Sequence, residues 1–111
     1  MKLSKYICFF VFYAFNISAY EVLDACAEYK NTGEKYKIEI QIFKGSELNK
    51  KTNTFNYNSF SRYGVIFWSN DQATIIEFDY FLGSFPTLYG VNGKDQRGYP
   101  WEVRSGHNFC Y

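Results

Sequence analysis

The strictest pattern in the chain runs over residues 35–42. Tyr36, Ile38, Ile40 and Ile42 fall on one side, and Lys35, Lys37, Glu39 and Gln41 on the other. A period of two with β-branched residues on one face predicts a half-buried strand. Asn31-Thr32-Gly33, just before it, suits a short hairpin loop with glycine supplying positive φ. Residues 22–30 are then expected to form the partner strand, although Ala25, Ala27 and Glu28 also allow a short helix. Lys44 to Asn53 is polar and carries Gly45, so it reads as a loop.

Further along, Tyr63 to Ser69 is apolar on both faces, as in a central strand. Asn70-Asp71 marks a turn, and Ala73 to Leu82 returns as a second strand. On that strand Ile76, Phe78, Tyr80 and Leu82 share one face, while Glu77 and Asp79 share the other. The two read as a hairpin with a turn of about four residues. Gly83-Ser84-Phe85-Pro86 breaks the pattern, and residues 87–91 form a weaker strand. Asn92-Gly93 reads as a turn, and Asp95-Gln96-Arg97-Gly98 as a type I turn ending in glycine. Tyr99 to Arg104 alternates again, with Trp101 and Val103 inward and Glu102 and Arg104 outward. Pro100 makes it an edge strand or moves its start to Trp101. About six short strands near ten-residue spacing predict an all-β fold, a small antiparallel barrel or sandwich, with the barrel preferred.

The first residues follow a different order. Lys2 and Lys5 precede an apolar run, Tyr6 to Ile17, and Ser18-Ala19 supply small residues. This predicts a secretory signal peptide over 1–19 and a single β domain of roughly 90 residues over 20–111. As a membrane anchor the run is too short: it reaches about 18 Å as a helix at about 1.5 Å per residue. A bilayer core is roughly 30 Å thick. No stable membrane span is therefore expected once the leader is removed. Leu23-Asp24-Ala25-Cys26 has the Leu, Ala and Cys of a lipoprotein cleavage box, but Asp24 and Glu21 break its apolar context, which disfavours acylation of Cys26.

Cleavage removes Cys8 and leaves Cys26 and Cys110, an even pair in an oxidising, secreted or periplasmic compartment. The expected result is one disulfide between the first and last mature segments. Charge is nearly balanced, with 12 Lys and Arg against 11 Asp and Glu. That argues against a nucleic-acid footprint or a polybasic membrane surface, though not against a small local patch.

Candidate chemistry is sparse. His107 is the single histidine and stands without the further ligands that a histidine metal site needs. No phosphate-cradling glycine loop or nucleotide fingerprint occurs, so neither metal nor cofactor is expected. Glu77 and Asp79 share a strand face at about 6.6–6.8 Å, a spacing that a small hydrolase could use. Outward charges on a half-buried strand are, however, the ordinary pattern, and no catalytic residue is assigned. Asp95 to Gly98 clusters charge and amide, as turns do for backbone reasons.

The most suggestive stretch is 53–63, where aromatics alternate with Asn and Ser and Arg62 is the single charge. Phe55, Tyr57, Arg62 and Tyr63 are its candidate binding residues, since amphipathic aromatics beside amides make recognition surfaces. The expected function is a non-enzymatic exported factor that recognises another exported or cell-surface protein. The alternatives are a carbohydrate or surface-glycan binder stacking sugars on the 55–63 aromatics, a secreted toxin or effector, and a small hydrolase.

Overall fold

A strand that alternates over 35–42 must hide one face, and the chain does this by rolling its sheet shut. A computed structural model describes residues 21–80, 85, 90–108 and 110–111. The expected leader lies outside the described residues, as does most of the weaker strand expected at 87–91. The elements are β1 (Glu21–Tyr29), β2 (Glu34–Lys44), α1 (Gly45–Thr52), β3 (Arg62–Ser69), β4 (Gln72–Phe78), β5 (Val91–Asp95) and β6 (Pro100–Ser105). The strands close in chain order into an antiparallel barrel. It closes where Ala25 to Tyr29 of β1 lie opposite Ser105 to Trp101 of β6. Closure decides the alternative left open between barrel and sandwich. It also removes the edge that Pro100 was expected to mark.

The barrel is filled by its own inward side chains, as small barrels are. Ala25, Ala27, Ile40, Ile42, Ile66, Ile76, Phe78, Phe85, Val91, Trp101 and Val103 form one buried cluster. Gly64 faces this interior, where an added Cβ would stand 2.5 Å from Ile40 Cδ1 and 2.8 Å from the Phe78 ring. A second cluster of Phe43, Leu48, Tyr63 and Val65 lies on the outside of the barrel beneath α1. The two clusters explain why β3 is apolar on both faces. Gly64 and Ile66 turn inward, and Tyr63 and Val65 turn toward the helix.

Three local expectations change. The polar segment from Lys44 to Asn53 contains helix α1 rather than loop alone. Glu47 accepts the Lys44 amide at 2.8 Å, Lys50 and Lys51 sit in the last turn, and Asn53 ends the helix at φ 56°. These are cap and dipole effects, and one buried leucine, Leu48, anchors the helix. Asn92-Gly93 is not a turn but the middle of β5. Glycine is required there for space, because a Cβ at Gly93 would lie 2.6 Å from Ile76 Cγ2. The returning strand ends at Phe78, earlier than Leu82, and Tyr80 is exposed.

The turn signals at Asn31-Thr32-Gly33 and Asp95 to Gly98 hold. Gly33 has φ 77° and Gly98 φ 89°, and Gly98 donates its amide to the Asp95 carbonyl at 2.8 Å. Cys26 and Cys110 form the expected disulfide, with Cα atoms 5.6 Å apart across 84 residues of sequence. Cys26 lies between the inward Ala25 and Ala27, so the bond clasps the outer side of β1 to the tail that follows β6.

One seam of the barrel is incomplete. The β2–β3 ladder runs from Lys44↔Arg62 only as far as Gln41↔Val65. Beyond that point, among the described residues, 34–40 pair with β1 alone, and Ile66, Phe67 and Ser69 pair with β4 alone. Among the described residues no helix is long and apolar enough to cross a membrane.

Reduction of the Cys26–Cys110 bond is expected to lower stability by about 2–5 kcal/mol, because it frees a long loop in the unfolded chain. Urea unfolding with and without reductant measures this. Gly64→Ala is expected to cost about 1–3 kcal/mol in the same assay, by overpacking the interior.

Candidate functional site

Successive strands reverse direction, so the hairpin turns at 30–33, 70–71 and 96–99 gather at one end of the barrel. The inward residues beside these turns are large and aromatic. Tyr29, Tyr36, Trp68, Thr74, Arg97 and Trp101 line an open cup of about 250 Å³. The rings touch one another around it. Tyr36 stands 5.3 Å from Trp68 and 6.1 Å from Trp101 between centroids, and Tyr29 lies 5.0 Å from Trp101. Both tryptophans of the chain are here.

Each ring is held by its own polar atom. Trp68 Nε1 donates to Thr74 Oγ1 at 2.8 Å, and Trp101 Nε1 donates to Asp95 Oδ2 at 3.0 Å. The Tyr36 hydroxyl donates to Glu34 Oε1 at 2.8 Å, and the Tyr29 hydroxyl accepts from Asn31 Nδ2 at 3.3 Å. Aromatic side chains have few rotatable bonds, and these hydrogen bonds fix the remaining freedom. The cup is therefore shaped before any ligand arrives, which reduces the ordering cost of binding.

Asp95 is the polar centre beneath the rings, with a fully buried side chain. Its Oδ1 accepts the amides of Arg97 at 2.9 Å and Tyr99 at 3.0 Å. Its Oδ2 accepts Arg97 Nη2 at 3.1 Å as well as the Trp101 indole. Burial by itself pushes the carboxyl pKa up. The hydrogen bonds from Trp101, Tyr99 and Arg97 outweigh it and hold the pKa below the ordinary carboxylate value. The Arg97 guanidinium also lies 4.7 Å from the Tyr99 ring centroid and remains largely exposed at the rim. Gln96 serves the sheet instead: its carboxamide accepts from the Ile75 amide and donates to the Ala73 carbonyl, each at 3.0 Å. In the 95–98 cluster, then, Arg97 is the residue that reaches the cup.

The residues expected from the 53–63 stretch lie elsewhere, in the connection between α1 and β3. Tyr63 is buried, and its hydroxyl accepts the Asn58 amide at 2.8 Å. Tyr57 is half-buried, with its ring 5.2 Å from that of Tyr63, and both pack beneath α1. Arg62 begins β3 and is half-buried. Phe55 stands 97% exposed. The structure thus brings Tyr57 and Tyr63 together but leaves Phe55 outside their contact. Glu77 is exposed on the outer face of β4 and accepts from Ser61 Oγ at 2.8 Å. Asp79 follows the strand and is also exposed, so neither carboxylate lines the cup. His107 is exposed, with Nε2 3.1 Å from the Ile38 carbonyl oxygen.

The cup itself was not among the sequence expectations. Tyr36 and Trp101 could be placed inward by alternation, but only closure puts four strands' aromatics around one opening. The usable signal was positional: each large ring lies at an inward position within a few residues of a turn. No protein-family model, curated protein or solved structure matches this chain.

Asp95→Asn is expected to cost about 1–3 kcal/mol at neutral pH, because it leaves buried donors without an acceptor. The pH dependence carries a sign. The folded pKa of Asp95 is lowered, so its contribution is complete above the unfolded value of about 3.9 and disappears as pH falls through the folded value. Urea unfolding across the acid range should therefore show a steeper decline in the wild type than in the Asn variant.

Proposed function

We propose that the protein is an exported, non-enzymatic binding module whose aromatic cup receives an apolar side chain of another exported or cell-surface protein. One observation carries this reading: four rings surround an open cavity, and each is locked by a hydrogen bond of its own. Trp, Tyr and Arg are the residue types that dominate the energetic centres of protein interfaces. A ready-formed pocket also binds without paying for loop ordering. The lining is mainly aromatic, and the Asp95 carboxylate is already occupied by four donors. Few acceptors are left for the hydroxyls of a sugar, so a side chain is the better match. Export is supported by the charged, apolar, small-residue order of residues 1–19 and by the disulfide, which persists in oxidising compartments.

Capture of exported and surface proteins by the oxidised mature domain, with identification by mass spectrometry, supplies the partner. Trp68→Ala is then expected to weaken that partner by about thirty-fold or more, the loss typical of an interface centre. Phe55→Ala should leave affinity unchanged. The reverse order would move the site to the 55–63 segment, and binding only to a glycan array would replace the protein partner with a saccharide. Intact mass of the exported product should match cleavage after Ala19 less two hydrogens, whereas a lipid-bearing product beginning at Cys26 would overturn the leader assignment.

A further inference from the structure

The incomplete seam between β2 and β3 opens beside the cup, and its backbone can be assigned group by group. Gly106 N donates to the Asp24 carbonyl at 2.7 Å, so the even-numbered peptide groups of β1 face β6. The odd-numbered groups of β1 then face β2, where Ala25 lies opposite Ile38. On β2 the even-numbered groups serve β1, and the odd-numbered groups face away. Gly45 N donating to Ser61 O at 2.8 Å shows the same parity at the far end, where odd residues of β2 meet β3. Along 35–39 no residue of β3 stands opposite. Lys35, Lys37 and Glu39 therefore turn their N–H and C=O groups into the seam. Across it, Phe67 turns its own, whereas Ser69 lies beyond a register shift and stands opposite Gln72 of β4.

Resting on the reading of the cup as a partner-protein site, we propose that an extended segment of the partner adds as a strand along this edge of β2, which no other described residue pairs. Donor and acceptor groups repeating at about 6.6–6.8 Å match an extended peptide backbone. Tyr36 projects inward between Lys35 and Lys37, with its ring 5.3 Å from Trp68. The inward residues of an added strand thus face the cup, and its outward residues lie beside Lys35 and Lys37. Lysines along an edge discourage indiscriminate pairing. They favour Asp or Glu opposite them on an added strand, while Glu39 in the same row disfavours an acid opposite itself, which gives specificity as well as attraction. Phe67, 59% exposed on the other side of the seam, adds an apolar contact.

The test selects random nine-residue peptides on the oxidised mature domain and measures affinity together with amide hydrogen exchange. In the free domain the amides of Lys35, Lys37 and Glu39 should exchange faster than those of Tyr36 and Ile38, and bound peptide should slow them at least tenfold. Selected peptides should carry Asp or Glu at the positions facing Lys35 and Lys37. N-methylation at alternate residues should weaken them at least tenfold in one register and leave affinity unchanged in the other. Lys37→Pro removes a donor that faces the seam together with the Lys37 ammonium, and leaves the β1 ladder, which the Lys37 amide does not serve. It should keep the melting temperature and lose at least tenfold in peptide affinity.

Peptides that depend on Trp68 but tolerate N-methylation in both registers and Lys37→Pro would overturn the added strand and leave the cup standing. Peptides indifferent to Trp68 would overturn the cup as well. Slow exchange at Lys35, Lys37 and Glu39 in the free monomer would mean that the chain's own residues cover the edge. Slow exchange only in a concentration-dependent dimer would mean that a second copy does. Either result, or a library that yields no binder, would overturn the proposal.

Discussion

Closure of the barrel between β1 and β6 is the constraint on which the remaining structure depends. Without the pairing of Tyr29 with Trp101 and of Ala25 with Ser105, the sheet would expose its inward row of Ile, Val and Phe side chains. The Cys26–Cys110 bond sits on this closure, joining β1 to the segment after β6. In the chain-entropy picture, a crosslink over a loop of this length contributes about 4–5 kcal/mol. That is a large share of the roughly 5–15 kcal/mol that holds an ordinary domain folded. A domain this small has little core to spare, so the covalent clasp and the noncovalent seam act on the same step.

The same closure makes the cup. Tyr29 and Trp101 come from the two strands that meet at the closing seam, while Tyr36 and Trp68 come from strands on either side of the incomplete one. Polar anchors then decide how these rings are held. Asp95 is the most consequential, since a buried carboxylate must be satisfied or it destabilises the fold. Its four donors belong to the 95–99 turn, to Arg97 and to Trp101, so one side chain sets both the turn and the floor of the cup. The hairpin end is lined with rings around an open cavity.

Much of the sheet was legible in the residues. Alternation over 35–42 placed β2 and its faces, and the even pair of cysteines gave the disulfide. The Asp95–Gly98 turn followed from residue type, and the double-sided apolarity of β3 matches the helix that covers its outer face. The failures have physical reasons. Helix α1 offers one buried leucine, so its hydrophobic period is too weak to read, and its signals are in caps and end charges. Gly93 resembles a turn residue but is a close-packing residue, a distinction that depends on the neighbours Ile76 and Phe78. The 53–63 stretch alternates aromatics with amides but forms no strand before Arg62. Its backbone is instead held in turns by Asn49, which bonds both the amide and the carbonyl of Tyr57, and by Asn58, which accepts the Phe60 amide. The cup needs contacts between strands far apart in sequence, and no local pattern contains them.

The central claim is that the clasped closure of the barrel creates and maintains the aromatic cup. Tryptophan emission tests it without a label, because Trp68 and Trp101 both line the cup and Trp101 is buried. The oxidised protein should show a short-wavelength component from buried Trp101 beside a longer-wavelength one from Trp68, which is 40% exposed. At a denaturant concentration where the oxidised form remains folded, reduction should shift emission to the red together with loss of the β-sheet circular dichroism signal. Emission that stays unchanged while the sheet signal is lost would contradict the account, as would a cup that loses its blue emission while the sheet remains intact.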